Sequence, residues 1–563
     1  MIGVIAKPTQ QVVVEEFFQL FKTPWEFYRP GQAYDVVIAT AEEIPEVKTG
    51  LLLLYGATAK NIDRNLGVVG GQVWEDGKLF ASDTSFPTYG KTLTFEPASA
   101  GVPCVMRGTL PAGLRIEKPD SITIRLGYDL FEETAFLLTS GQPVENAEIP
   151  TLDIHIEQLR AWILEAGQSL LEIPATPAGY RFVVCLTHDI DFVGMRDHFF
   201  DHSMFGFGYR AVVGSLRNFL RRRLTFGQVI ENWKAVASLP FVFAGWARDF
   251  WEPFDWYLET EKDLPATYFL IPFKRRAGSK VDSPNASRRA TAYDIGDLKE
   301  STSRLLAHDC ELGVHGIDSW HDSNKGREEL GRTRAVTGAL SIGIRMHWLL
   351  RDATTPRVLE DAGYYYDSTF GYNDTVGYRA GTGQVFRPLG TEKLLELPLH
   401  IQDGALFFPD KLDLSEQQAE QRCQPLIDAA IRLGGVLTLL WHDRSHAPER
   451  FWGGFYRRLI AQLKTLNAWF ASGSQAVGWF EKRRQVRFER AQSSEGPTSR
   501  VLYEGEKIVP PLNVRFYSAS WNVSATAARA FVDMPWDGIS ADGAEWQTTE
   551  FRSRPPEASP CSS

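Results

Sequence analysis

Between Arg181 and about Lys482, apolar runs of strand length recur with helical segments between them, and several end on or lead into an acidic residue or a histidine. The runs are 182–186 (FVVCL), 267–271 (TYFLI), 311–315 (ELGVH), 395–399 (LELPL) and 435–440 (GVLTLL). Strands alternating with helices predict βα units and a parallel sheet that can close into a barrel. In such folds chemistry gathers at the C-terminal ends of the strands.

The rest of the chain frames this block. At 563 residues it exceeds one ordinary core, so two or three domains are expected. Strand candidates at 34–38 and 51–55 and helical patterns at 131–138 and 152–171 predict an N-terminal α/β accessory domain over 1–179. Its end is the Pro- and Gly-punctuated stretch 173–179. The central domain then spans 180–485, with an insertion near 196–260. Short alternating segments at 501–503 and 514–517 predict a small β-rich extension over 486–550, and the Pro- and Ser-rich residues 551–563 predict a disordered tail.

Seventy acidic against 60 basic residues, a net charge of −10, leave no electrostatic footprint for nucleic acid. The five cysteines form no CxxC pair, which argues for reduced thiols and against a thiolate zinc site. The N-terminus lacks the pattern of a signal peptide, and no stretch reaches the roughly 20 apolar residues of a spanning helix. The expectation is a cytoplasmic protein.

The run 182–186 leads into Thr187-His188-Asp189-Ile190-Asp191. Carboxylates at i and i+2 point the same way on an extended backbone, so one can bind a metal while the other acts as a base. An Asp-rich turn or helix cap is the alternative. The run 311–314 ends on His315, with His321 beyond it, and two imidazoles plus a carboxylate make the open three-ligand set of a catalytic zinc. Paired loop histidines also occur as hydrogen-bonded surface residues. The run 436–441 delivers His442, which suits proton transfer to a leaving group at neutral pH. Strand alternation turns His188 away from Asp189 and Asp191, toward a structural role. His347 either lines the pocket or packs in the core.

In this order the elements resemble the polysaccharide deacetylases, carbohydrate esterase family 4 or the NodB homology family, over roughly 181–482. They resemble above all a branch in which an N-terminal domain precedes a Thr-His-Asp-x-Asp motif and a later Asp-Ser-Thr, here Asp367 to Thr369. The resemblance implies a distorted (β/α) barrel and a divalent metal ion, zinc by expectation. It implies Asp191, His315 and His321 as ligands, Asp189 as base, Arg345 orienting that base, and His442 as the acid. The reaction it implies is removal of N-acetyl or O-acetyl groups from a polysaccharide or its oligosaccharide precursor. Two departures stand out. His315 and His321 are six residues apart where the family has four, with Ser at 319, so the third ligand is His321, another residue such as Asp318, or water. The long span between the first two motifs holds the insertion.

Two other readings stay open: a small-molecule amidase of the same fold, and a degenerate, non-catalytic carbohydrate-binding or scaffold protein. Within the insertion, Arg217 and Arg221 to Arg223 surround Leu216, Phe219, Leu220 and Leu224, and further aromatics follow to Trp251. A basic amphipathic surface over 216–251 suits peripheral contact with anionic lipid or a polymer, and equally a solvated helix packing its apolar face on the domain.

Overall fold

The computed structural model describes residues 1–81, 84–280, 286–493, 496–518 and 531–539; the expected disordered tail at 551–563 and parts of the expected C-terminal extension lie outside them. The chain divides into two compact units. One holds Met1–Gly179, Ala380–Leu389 and the described residues from Gly478 onward; the other holds Tyr180–Arg379 and Gly390–Val477.

The first unit is built on a mixed sheet. Its strands Trp25–Phe27, Ile2–Ile5, Tyr34–Ala39, Thr49–Tyr55 and Ser121–Leu126 run parallel, and an antiparallel meander continues it through Leu110–Lys118 and Val102–Arg107. The helical pattern expected over 152–171 stops early: the helix is Thr151–Glu165, and Gly167, at φ +76°, turns the chain into the strand Leu170–Glu172. That short strand pairs antiparallel with Leu512–Tyr517, which pairs in turn with Phe531–Trp536. Arg160 fixes the junction by pairing with Glu172 at 2.7 Å and lying over the Tyr517 ring. Within the segment expected to form a small β-rich extension over 486–550, these strands belong to the unit that contains residues 1–179. That pairing joins residues more than 340 positions apart, a link that local patterning does not carry.

The second unit is a parallel sheet, in the order Leu395–Glu396, Tyr366–Asp367, Ile344–Met346, Glu311–Gly316, Ala266–Leu270, Phe182–Ile190, Val436–Leu440, Ile401–Gln402. The two outermost strands belong to one stretch of chain. In it Leu397 N donates to Asp367 O (2.8 Å) at one end and His400 N to Thr438 O (3.2 Å) at the other, so the stretch bridges both edges and closes the sheet on itself. The result is a distorted (β/α) barrel. Between strands and helices lies the main core, in which Leu186, Ile190, Leu270, Leu312, Leu439 and Trp441 pack against helical residues such as Ile427 and Tyr456. Each fully buried side chain of this size contributes about 1.5–3 kcal/mol. The insertion forms helices at His202–Tyr209, Ser215–Leu220 and Phe226–Phe243, the first two joined by a π-helical turn.

Close packing inside the barrel explains Gly343. Tyr366 is fully buried and donates its hydroxyl to Glu311 Oε1 (2.9 Å), so its ring is held in place. A methyl group on Gly343 would lie 2.1 Å from that ring. Gly343→Ala should lower stability by about 1–3 kcal/mol, the usual cost of overpacking, read from urea unfolding; an unchanged midpoint would mean that the ring can yield.

Candidate active site

The Phe182–Ile190 strand is buried along its whole length, as a barrel strand covered on both faces must be. Alternation sends Leu186, His188 and Ile190 outward and Thr187 and Asp189 inward. His188 accordingly stands outside the barrel lumen, its ring 3.9 Å from that of Tyr257 and its Nε2 2.9 Å from Glu261 Oε1.

Arg345 occupies the barrel interior with no exposed surface. A buried guanidinium is tolerated only if its donors find acceptors. Nη1 donates to Thr187 Oγ1 (2.7 Å) and Asp189 Oδ1 (3.1 Å), Nε to Ser368 O (3.0 Å) and Nη2 to Ser368 Oγ (2.8 Å). Its face lies over Phe269, 4.6 Å from the ring centre. This pins one oxygen of Asp189 and leaves Oδ2 on the side of His315, 3.9 Å from its Nε2.

Asp191, His315 and His347 come together at the adjoining strand ends, with one donor atom from each within 4.8 Å of the others. Asp191 Oδ1 is 3.4 Å from His315 Nε2 and 3.2 Å from His347 Nε2. Ligands at about 2.0–2.1 Å around one tetrahedral ion lie about 3.3 Å apart, so the spacing fits. His315 Nδ1 is 3.0 Å from the Arg345 carbonyl, which fixes the tautomer that presents Nε2, as an outer-shell partner does for a metal-bound histidine. Asp191 Oδ1 is buried and has no hydrogen-bond donor among the described residues. An orphaned buried acceptor facing two imidazole nitrogens is the donor chemistry a divalent ion satisfies, and the three residues could hold one. Burial alone would raise the Asp191 carboxyl, but His347 and His315 beside it hold it well below the usual carboxylate range. Burial pulls His347 down against the attraction of Asp191, toward the neutral form that binds metal.

His321, expected as the third ligand, is not in this group. The chain after His315 is clamped: Glu329 accepts from Ile317 N (3.0 Å), Asp318 N (2.8 Å) and Ser319 Oγ (2.6 Å). The clamp turns Ser319 into the core and leaves His321 beside Asp318 Oδ1 (3.1 Å) and Ser279 Oγ (3.3 Å), with Lys325 on the same carboxylate. Asp318, the other candidate, is taken up by that same cluster. His347 stands in their place, and a sequence signal for it existed. It follows Arg345 at i+2, just past the end of the strand Ile344–Met346, the same spacing that relates Asp189 to Asp191 just past its own strand. Arg289, itself buried, steadies both histidine loops by donating to Ile317 O (3.2 Å) and His347 O (3.1 Å).

His442 follows the neighbouring strand, and Asp403, which the sequence reading missed, grips it. The carboxylate accepts from His442 N (2.8 Å) and Ser445 Oγ and lies 2.6 Å from His442 Nδ1. Burial opposes charge on the ring, but Asp403 overrides it and pushes His442 up to about 9, while Asp403 itself is lowered. Next to it, burial pushes the Asp443 carboxyl up to about 7, against the pull of Arg444. Asp443 Oδ1 accepts from Asp191 N (3.3 Å) and so helps to hold the strand end.

No family model matches the chain, and no curated protein matches its sequence. Solved structures do resemble it. Agd3, a carbohydrate deacetylase, matches over 95% of this chain and 97% of its own at 10% identity and a TM-score of 0.37. A protein of Mycobacterium smegmatis assigned to the polysaccharide deacetylases matches over 55% of this chain and 95% of its own, at 20% identity and a TM-score of 0.32. The allantoinase PuuE matches over 55% and 93%, at 14% identity and a TM-score of 0.31.

The geometry separates the two candidate third ligands. His347→Ala should strip a divalent metal from the purified protein, whereas His321→Ala should keep about one ion per chain, the stoichiometry of a single three-ligand site; metal content by mass spectrometry decides, and the reverse pattern would restore His321.

Proposed function

We propose that the protein is a metal-dependent hydrolase that removes acetyl groups from nitrogen, or from oxygen, on a polysaccharide or its oligosaccharide precursor. One observation carries this reading. Three groups with complementary tasks converge at one face of the barrel: an Arg345-oriented carboxylate, an Asp-His-His donor set, and an Asp403-held histidine. The motif order that resembles the polysaccharide deacetylases supports acetyl transfer to water as the reaction and a carbohydrate as the substrate.

Asp191, His315 and His347 would hold a divalent ion, zinc by the chemistry of one carboxylate and two imidazoles, and such an ion would supply electrophilic activation of water and of an acyl carbonyl. Asp189 takes the proton from the attacking water at Oδ2, since Arg345 engages Oδ1 and fixes its direction. His442 carries a proton at neutral pH because Asp403 stabilises the imidazolium, and it delivers that proton to the leaving amine, a poor leaving group unless protonated. The two ends of the reaction thus have separate proton carriers.

Asp189→Asn preserves shape and an acceptor for Arg345 but removes the base. It should lower acetate release from acetylated oligosaccharides by at least about a hundredfold while bound metal stays measurable; normal turnover would sink the assignment. Small amides run in parallel separate the carbohydrate substrate from an amidase alternative.

The pH profile tests the acid. Activity should hold until pH approaches about 9 and fall above it as His442 loses its proton. In Asp403→Asn that alkaline limb should move toward about 6.5, the ordinary histidine value; an unmoved limb would remove His442 from the acid role.

A further inference from the structure

Among the described residues, fourteen of the twenty-seven exposed large apolar side chains lie between Phe199 and Trp246, within the insertion. They are not scattered. Along the helical stretch from His202 to Leu220, Ser203, Phe207, Ala211 and Ser215 turn inward, one every four residues. The opposite side carries a second apolar stripe, Phe205, Tyr209, Val212, Leu216, Phe219 and Leu220, all exposed. A helix that packs on a domain normally presents polar residues on its outer face; this one presents apolar residues there.

The following helix repeats the pattern. Phe226, Ile230, Trp233 and Phe241 are exposed at spacings of one helical turn or its multiple, and Phe219 meets Phe226 with ring centres 6.1 Å apart. The two stripes therefore join at that corner. Beside them stand Arg217, Arg221, Arg222 and Lys234, exposed and without an acidic partner among the described residues, while Arg223 is bound to Asp413. From Phe199 to Trp246 the sequence holds six basic residues against two acidic, in a chain of net charge −10.

We infer that this face is a docking surface for an anionic lipid bilayer. Aromatic and aliphatic side chains flanked by arginines match the boundary between acyl chains and acidic headgroups. No described helix is long and apolar enough to cross a membrane, so the surface lies on a bilayer and does not span it. Charge decides between lipid and a second copy of this chain: two-fold self-pairing of the patch would bring the unpaired arginines of both copies together, whereas acidic headgroups neutralise them.

The surface is fixed to the rim of the candidate active site. The insertion begins a few residues after Asp191, and Arg210 binds Glu449 at 2.6 Å, in the loop that follows His442. Asn232 Oδ1 accepts from Glu449 N (2.6 Å), and the Arg444 guanidinium lies over Phe192 (4.0 Å) and Trp251 (4.5 Å). If the hydrolase reading holds, on which this clause rests, the bilayer delivers a glycan displayed at its surface to the barrel mouth.

The test is co-sedimentation of the full chain with vesicles of phosphatidylcholine alone and of phosphatidylcholine with phosphatidylglycerol. The anionic vesicles should bind, more weakly at high salt. Arg221→Glu with Arg222→Glu, and separately Leu216→Glu with Leu220→Glu, should each reduce binding by at least about tenfold. Acetate release from a soluble substrate, set by other residues, reports whether the variants remain folded and whether the hydrolase reading stands. Equal sedimentation with and without anionic vesicles, or binding that ignores both variants, overturns the proposal. So does light scattering that shows a dimer which the Leu216→Glu, Leu220→Glu variant splits.

Discussion

The contact on which the barrel and its site both depend is the buried pair of Arg345 and Asp189. A guanidinium with no exposed surface is unstable unless every neighbour is placed for it, and here the contact joins three different strand ends: acceptors Thr187 and Asp189 from one and Ser368 from another, with the donor Arg345 on a third. Breaking such a pair from one side leaves an uncompensated buried charge, at a cost of about 3–5 kcal/mol. The same hydrogen bonds that align the strands therefore orient the Asp189 carboxylate, so register and reactivity cannot drift apart.

Ring closure extends this dependence around the barrel. Because the stretch between Leu395 and Gln402 bonds to the Tyr366–Asp367 strand at one end and the Val436–Leu440 strand at the other, it sets Asp403 directly beside His442. Asp403 is buried, and its negative charge is stabilised by the His442 amide and ring and by Ser445. A carboxylate placed so holds one tautomer of the imidazole and favours its charged form.

Much of this was legible in the sequence, for a specific reason. Strand period two survives in runs such as FVVCLTHDID, so the inward direction of Asp189 and the outward direction of His188 follow from alternation alone. His315 and His442 were legible at or just past the end of an apolar run, whereas Arg345 came only from the resemblance to the polysaccharide deacetylases. His321 was chosen by distance along a loop, and loops do not preserve direction. Its course is set by Glu329, eight residues beyond it on a helix, whose carboxylate gathers the amides of Ile317 and Asp318. Nothing local announces that clamp. The pairing of Leu170–Glu172 with Leu512–Tyr517 was hidden for the same reason, since short strands with distant partners leave no periodicity to read.

His347 and His442 show how one residue type serves two ends of a reaction through environment alone. Both are largely buried and both face a carboxylate, at 3.2 and 2.6 Å. The difference lies in what else each partner sees. Asp191 is shared between two imidazoles, so neither can claim its full charge, and burial keeps His347 low. Asp403 faces one imidazole, and its attraction exceeds the cost of burying the cation, which lifts His442 to about 9. Neutral nitrogen is what a metal accepts, and protonated nitrogen is what a leaving amine needs. A site with both must divide its carboxylates unequally between its histidines, and that division follows from which strand ends are neighbours in the closed barrel.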